Sequence, residues 1–255
     1  MSPHGVSICH PQHSPRGLLQ ALLTLLVCSA AGCDLPGKPK PAEQFKPPQK
    51  EMAFSVLFQE NCIGCHGADG KLGPAPPLND RLFLALAPDT ELQRVISEGR
   101  AGTLMPAFAA SQGGHLTDEQ IKVLALGIRK EWRPSEPAPA GAPPYLARQA
   151  KTDGTAPGNR DNGLKVFTRA CAGCHGDHGQ GGRHGAINDP NFLALISDQA
   201  LRRFVITGRP DLGMPDYVGT KGRPEDFQPL TAENVTDVVA LLAYWRTETV
   251  NGKRN

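Results

Sequence analysis

Two short motifs of cysteine and histidine hold the residues of this chain that are best suited to chemistry. Each has two cysteines separated by two residues and followed at once by a histidine. The motif residues are Cys62, Cys65 and His66 and, further along, Cys171, Cys174 and His175. Two thiols at this spacing can take the two vinyl groups of one porphyrin, and the adjacent histidine can bind its iron. The sequence therefore predicts two covalently attached haem c groups.

A Cys-x-x-Cys pair without the histidine is more often a zinc or thiol site. Here the histidine is present in both copies, which favours haem over zinc. The other three cysteines, Cys9, Cys28 and Cys33, all lie in the first 33 residues. No thiol pair outside the motifs is therefore expected in the mature protein.

Two methionines are the candidates for the second axial position of each iron. Met105 lies 39 residues after His66, Met214 lies 39 residues after His175, and each is followed by proline. Methionine is usually a core residue, but the equal intervals favour iron ligation. A His/Met pair is typical of electron-transfer haems. Three histidines that do not recur in the other half are rival ligands and are interpreted as surface residues: His115, His178 and His184.

The motifs belong to a longer internal repeat with a shift of 109 residues. The repeat includes Phe58 with Phe167, Asn79-Asp80 with Asn188-Asp189, Gly99-Arg100 with Gly208-Arg209, and Met105-Pro106 with Met214-Pro215. Such agreement predicts the duplication of a whole domain. After the methionine the shift becomes 114, so the second copy has five extra residues, around 217–227. This insertion is either a partner contact or a tolerated surface insertion.

Helical patterns surround each motif. Apolar residues at helical spacing, Phe54, Leu57 and Phe58, lead into the first motif. Thr90 with Gln93 predicts a capping box for a helix that ends at Gly99. Thr117 with Gln120 predicts another, for a helix that ends before Pro134. The apolar stripe of that last helix is Ile121, Leu124, Ile128 and Trp132.

Each repeat resembles a class I cytochrome c domain, with a helix leading into Cys-x-x-Cys-His, a middle helix, a Met-Pro loop and a C-terminal helix. The resemblance implies an all-α fold of two tandem cytochrome c-like haem domains joined by a Pro/Ala/Gly-rich linker. The predicted organisation is a signal peptide (1–33), a disordered tether (34–50), domain 1 (51–133), the linker (134–160), domain 2 (161–249) and a tail (250–255). The chain is also similar to di-haem cytochromes of bacterial respiratory complexes.

The N-terminal segment predicts export. Arg16 precedes an apolar run over residues 18–31, which is shorter than the roughly 20 residues of a transmembrane helix. The run ends in Ala30-Ala31-Gly32-Cys33, which resembles the lipobox of bacterial lipoproteins, although that family prefers leucine where Ala30 stands. This resemblance predicts a lipid on Cys33 and a place on the periplasmic side of a bacterial membrane. Ordinary cleavage would instead give a soluble periplasmic protein.

The resemblance also implies how the axial histidines are oriented. In the family, Nδ1 of this histidine bonds a proline carbonyl in the loop after the motif. The first repeat offers Pro74, Pro76 and Pro77, where the second has Arg183, Gly185 and Ala186. Any backbone carbonyl can accept this bond, so we expect ligation at both sites but two inequivalent haems. The repeated Arg100 and Arg209 either pair with haem propionates or are solvated charges at helix ends.

The preferred function is the relay of single electrons, without catalysis and without a small-molecule substrate. The expected donor is a quinol-oxidising complex or a dehydrogenase, and the expected acceptor is an oxidase or a soluble cytochrome. A net charge of +2 from 27 basic and 25 acidic residues argues against nucleic acid as a partner. The alternatives are a di-haem peroxidase or the haem subunit of a periplasmic dehydrogenase. A haem sensor would need an output domain.

Overall fold

The computed structural model describes residues 40, 45–132, 134, 136–146, 157–182 and 184–250. The chain divides into two compact units, Met1–Lys46 and Pro47–Asn255, and both motifs lie in the second. The predicted signal peptide, the candidate lipidation site Cys33 and most of the predicted tether lie outside the described residues. Among the described helices, none combines the length and the apolar composition needed to cross a membrane.

The described residues contain ten α-helices, five in each repeat, and three short 3-10 helices (Pro48–Lys50, Ala110–Gln112 and Pro210–Leu212), and no β-strand forms among them. The first repeat contains α1 (Phe54–Asn61), α2 (Ile63–His66), α3 (Arg81–Leu86), α4 (Asp89–Glu98) and α5 (Asp118–Glu131). The second contains α6 (Arg160–Ala170), α7 (Ala172–His175), α8 (Pro190–Leu195), α9 (Asp198–Thr207) and α10 (Ala232–Val250). The prediction of an all-α fold is confirmed.

In each repeat the helix before the motif packs against the last helix. In the first repeat, the ring of Phe58 on α1 meets the ring of Trp132 at the end of α5, with centroids 5.2 Å apart and planes at 72°. In the second, Phe167 on α6 meets Trp245 on α10 at 5.1 Å and 79°. These edge-to-face pairs join the two helices that flank each motif.

One of the two predicted capping boxes is present in the structure, and the other is not. The capping box of Thr117 and Gln120 is present at the start of α5, with both reciprocal bonds formed. The predicted capping box of Thr90 and Gln93 is wrong, because α4 begins at Asp89 and its N-cap is Pro88, which makes no side-chain cap bond. Pro88 places the acidic Asp89 in the first turn, where the helix dipole favours a negative charge. The predicted end at Gly99 is confirmed.

The two repeats contact each other through the first part of the predicted linker and through α3. Tyr145 is buried in the hydrophobic core of the first repeat. Its carbonyl accepts a bond from Gln199 Nε2 of α9 at 2.8 Å, and the carbonyl of Pro144 accepts two bonds from Arg202. Leu82 and Leu86 of α3 pack against the core of the second repeat. The sequence of the linker did not predict how the two repeats pack against each other.

An arginine from the last helix of each repeat donates hydrogen bonds to the turn that joins the two preceding helices. Arg129 of α5 donates to the carbonyls of Leu84 and Ala87 and pairs with Asp89. Arg246 of α10 makes the same three contacts with the equivalent residues, at 2.7 to 2.8 Å: Leu193, Ile196 and Asp198. The two arginines do not align in the repeat, so the contact recurs in space but not in the sequence.

Candidate haem sites

Each motif forms a short helical turn directly after the first helix of its repeat. In the first repeat α1 ends at Asn61, with Cys62 as its C-cap, and the amides of Cys65 and His66 both donate to the carbonyl of Cys62, at 3.2 and 2.9 Å. The corresponding bonds of the second turn, to the carbonyl of Cys171, measure 3.1 and 3.0 Å. Each turn therefore brings the two thiols and the histidine of its motif together on a few residues of helical backbone.

The first candidate axial histidine is oriented by a proline carbonyl, as the resemblance implied. Nδ1 of His66 lies 3.0 Å from the carbonyl oxygen of Pro76, so Nδ1 carries the proton and Nε2 is the nitrogen that can bind iron. Burial lowers the pKa of His66 below its ordinary value, and the positive charges of Arg203 and Arg100 act in the same direction. The histidine is therefore neutral at pH 7, as an iron ligand must be.

The second candidate histidine is held less closely. Nδ1 of His175 lies 3.4 Å from the carbonyl oxygen of Gly185, and Arg183 lies outside the described residues. Burial lowers the pKa of His175, and the neighbouring His184, with its ring centroid 6.1 Å away, acts in the same direction. A glycine carbonyl therefore stands where the first site has a proline carbonyl, and the contact is longer.

The thiols differ in their surroundings. Burial raises the pKa of Cys62 to about 12, and it raises the pKa of Cys171 to about 11. These two thiols are neutral at pH 7. The second cysteine of each motif is closer to solvent: Cys65 is exposed and Cys174 is half-buried.

The candidate methionine ligands lie in loops that are held by equivalent backbone hydrogen bonds in the two repeats. The amide of Arg100 donates to the carbonyl of Met105 at 3.0 Å, and the amide of Arg209 donates to that of Met214 at 3.1 Å. The preceding glycines, with φ of +70° and +66°, lie so close to these loops that a Cβ on either would be within 2.7 Å of the methionine carbonyl oxygen. Only glycine fits there, and this explains the repeated glycine before each arginine.

The repeated arginines have partners in the structure. The guanidinium of Arg209 pairs with Asp211 at 2.7 Å, and its side chain is only 19% exposed. One guanidinium nitrogen of Arg100 lies 3.5 Å from the hydroxyl of Tyr145. Neither is a fully solvated charge at a helix end. Pairing with haem propionates stays a prediction.

Arg203 of α9 belongs to the second repeat but contacts the loop after the first motif. No signal in the sequence indicated this contact. Arg203 is 5% exposed, its guanidinium carbon lies 3.7 Å from the centroid of the Phe83 ring, and Nη2 donates to the carbonyl of Pro77. That carbonyl directly follows the one that orients His66. The equivalent residue of the first repeat, Arg94, is exposed and pairs with Glu91 and Glu98. The repeat alignment gave no sign of this difference.

The rival histidine ligands have other neighbours. Nε2 of His115 lies 2.7 Å from Oδ1 of Asn61, and its ring lies edge-on to Phe108. The backbone amide of His178 donates to the side chain of Gln180 in the loop after the second motif. His184 directly precedes the glycine whose carbonyl faces His175.

The donor set of each site fits haem c. Each turn presents two thiols and one neutral imidazole whose Nε2 is available for iron, and each repeat adds a thioether in a fixed loop. The helical fold and the two sites define a di-haem c-type cytochrome, built from two tandem cytochrome c domains with one covalently attached haem c in each.

Comparison with known proteins gives the family. The model of the family described as cytochrome c oxidase, cbb3-type, subunit III, matches residues 50–126 and 158–232, one match for each repeat. The chain belongs to this family. The function that this assignment supports is electron transfer through haem c.

Three curated relatives illustrate the range of similarity. The cbb3-type cytochrome c oxidase subunit FixP of Bradyrhizobium diazoefficiens is 40% identical over 76 residues, which cover 28% of this chain and 24% of the relative. Subunit CcoP of Rubrivivax gelatinosus is 30% identical over 167 residues, which cover 64% and 46%. A thiosulfate dehydrogenase of Psychrobacter arcticus is 30% identical over 137 residues, which cover 52% and 40%. The matches thus span less than half the length of each of these relatives.

Proposed function

We propose that this chain is a periplasmic electron carrier, not itself an enzyme, that relays single electrons through two His/Met-ligated haems. In this proposal His66 and Met105 would hold the first iron, and His175 and Met214 would hold the second. Cys62 with Cys65, and Cys171 with Cys174, attach the porphyrins. The observation that carries the proposal is the duplication of the donor set, with equivalent backbone contacts at both turns and both methionine loops.

When bound, each haem supplies a metal centre that gains or loses one electron. The chain supplies the rest. The carbonyls of Pro76 and Gly185 fix the orientation of the two imidazoles. The amides of Arg100 and Arg209 hold the methionine loops. With a histidine and a methionine holding each iron, the haems would supply electron transfer and would leave no position for a substrate.

We further propose a lipid on Cys33, which would hold the domains on the periplasmic side of a bacterial membrane. The resemblance of Ala30-Ala31-Gly32-Cys33 to a lipobox supports this anchor. The proposed donor is a quinol-oxidising complex or a dehydrogenase, and the proposed acceptor is an oxidase or a soluble cytochrome. The relatives named as cbb3-type oxidase subunits support an oxidase as one of these partners.

A second candidate is the haem subunit of a dehydrogenase. The 30% identity to a thiosulfate dehydrogenase over 137 residues favours it over the peroxidase alternative. In this case substrate oxidation requires an iron with a vacant or displaceable sixth position. The two functions therefore differ in whether the chain turns over a substrate.

One experiment separates these functions. The full chain is produced by export in a host that attaches haem c, and its mass is used to count the attached haems. The protein is then mixed with thiosulfate and excess ferricyanide as the electron acceptor and, separately, with hydrogen peroxide and an excess of a one-electron donor. We expect two haems, no catalytic turnover of either reagent, and rapid reduction of the oxidised protein by a one-electron reductant. Sustained turnover of thiosulfate or peroxide would refute the carrier assignment.

A further inference from the structure

The five-residue insertion of the second repeat lies beside its haem-attachment turn. We call residues 217–227 the cover segment. Both of its ends are buried in the core of the second repeat, where Tyr217 is 3% exposed and Phe227 is 8% exposed. The amide of Tyr217 donates to the carbonyl of Ile206 at 2.9 Å, and its carbonyl accepts from Leu230 at 2.9 Å. The segment is therefore an anchored part of the domain.

Two arginines fix the segment to the helix that leads into the second motif. Arg223 donates from Nε to the carbonyl of Ala170 at 3.2 Å and from Nη1 to the carbonyl of Asp216 at 2.8 Å. Its guanidinium carbon lies 4.3 Å from the centroid of the Phe227 ring. Arg169 of α6 donates to the carbonyl of Asp226 at 2.8 Å. Since Ala170 directly precedes Cys171, these bonds place the segment at the start of the attachment turn.

The tip of the segment touches the turn itself. A Cβ built on Gly222 would lie 2.7 Å from Sγ of Cys174, the second attachment thiol. A Cβ built on Gly173, inside the motif, would lie 2.7 Å from the carbonyl oxygen of Gly222. Backbone and thiol are therefore in direct contact on this side of the turn.

Among the described residues, no such layer covers the same place in the first repeat. A Cβ built on Gly64, the equivalent of Gly173, meets no heavy atom within 4 Å among the described residues. Cys65 is exposed, whereas its equivalent Cys174 is half-buried. As far as the described residues go, the same attachment turn is thus open in the first domain and covered in the second.

We propose that the cover segment shields the attachment edge of the second haem, and that mobile one-electron carriers therefore exchange electrons through the open edge of the first. This inference rests on the proposed role as an electron carrier. One electron passes between carrier and haem, and no bond is made or broken. The rate then depends on how closely a carrier approaches the porphyrin edge, and a layer of backbone over Cys174 increases that distance.

The exposure of the two edges is measured directly on the reduced holoprotein. A neutral gadolinium chelate is added, and the broadening of the haem methyl resonances of each haem is recorded by NMR. We expect strong broadening at the first haem and weak broadening at the second. The variant Arg223→Gln, which removes the bonds to Ala170 and Asp216, should increase broadening at the second haem alone. Lys221→Gln, which removes the same charge from the same segment, is the control and should leave both unchanged.

Electron exchange is tested by filling the open side of the first turn. Gly64→Phe places a ring where the structure leaves space, and it should slow oxidation of the reduced protein by ferricyanide several-fold. Replacing residues 216–229 with the shorter residues 107–115 should open the second edge and raise the rate by about twofold, because two edges then react.

Equal broadening of the two haems in the unmodified protein would overturn the inference, as would an unchanged ferricyanide rate in Gly64→Phe. If the variant with the shortened segment does not fold, Arg223→Gln and Gly64→Phe still test which haem edge is exposed. Failure of the carrier assignment would show separately, as substrate turnover or as fewer than two attached haems.

Discussion

The two candidate methionine ligands decide what each iron can do. A thioether in the sixth position favours the reduced iron and keeps small molecules away. The sequence predicted these residues from their equal distances to the histidines, and the structure holds each in a loop fixed to a Gly-Arg pair. Sequence spacing identified these two candidates because the duplication preserved the interval, and their binding to iron stays a prediction. The close approach of each glycine to the loop is a backbone property that required the structure.

Removal of either thioether should open the iron beside it. In Met105→Ala and Met214→Ala we expect a lower midpoint potential for that haem alone and the appearance of carbon monoxide binding after reduction. Spectroelectrochemical titration and a carbon monoxide difference spectrum measure both effects. Met52→Ala is the matched control, because Met52 is 44% exposed and lies outside both loops. Unchanged potentials in both loop variants would exclude the two methionines as ligands.

The two candidate axial histidines are held differently, and the midpoint potentials of the two haems should reflect this difference. The Nδ1 contact is 3.0 Å at His66 and 3.4 Å at His175. Among the described residues, a buried arginine, Arg203, lies beside the loop of the first site alone. Hydrogen bonding to an axial histidine and nearby charge both tune the iron. We expect a redox titration of the full chain to show two separate one-electron steps. A single step that fits both irons with one potential would contradict this.

Among the helices, one contact could not be predicted by aligning the two repeats. It joins an arginine of the last helix to the turn between the third and fourth helices. Arg129 and Arg246 bond equivalent residues, yet they stand at different positions relative to Trp132 and Trp245. A search for aligned residues therefore misses them. Helices α1 and α5 and the Gly99 end of α4 followed from spacing and capping signals, because those signals are local.

Loss of this contact should destabilise the second domain without touching the haem ligands. Arg246→Met leaves the carbonyls of Leu193 and Ile196 without their donor, at a cost of about 2 kcal/mol in the free energy of unfolding. Denaturant unfolding followed by circular dichroism measures the change. The control is Arg160→Met, since Arg160 is an exposed residue of α6 that stacks on Tyr244. An equal loss in both variants would contradict a specific role for Arg246.

At the scale of the whole molecule, the contact between the domains is the feature that the sequence left open. The composition identified a Pro/Ala/Gly-rich linker, but it did not predict the contacts that the linker makes. Tyr145 enters the core of the first repeat, and the carbonyl of Pro144 accepts two bonds from Arg202. Long-range contacts of this kind leave no periodic pattern in the sequence. The same contact brings the buried charge of Arg203 beside the loop that orients His66.

This charge should raise the potential of the first haem, because a positive charge nearby disfavours the more positive oxidised iron. In Arg203→Met we expect the potential of the first haem to fall and that of the second to change less. Arg94→Met, at the equivalent position of the first repeat, is the control and should change neither. Equal shifts of both haems in Arg203→Met would show that the effect is not local.

With a histidine and a methionine bound to each iron, both irons should exchange electrons and bind no small molecule. The most direct test is the addition of carbon monoxide to the fully reduced chain carrying two haems, followed by a difference spectrum. We expect no carbon monoxide adduct at either iron. Formation of an adduct at one or both irons, in protein shown by mass to carry two haems, would contradict the claim.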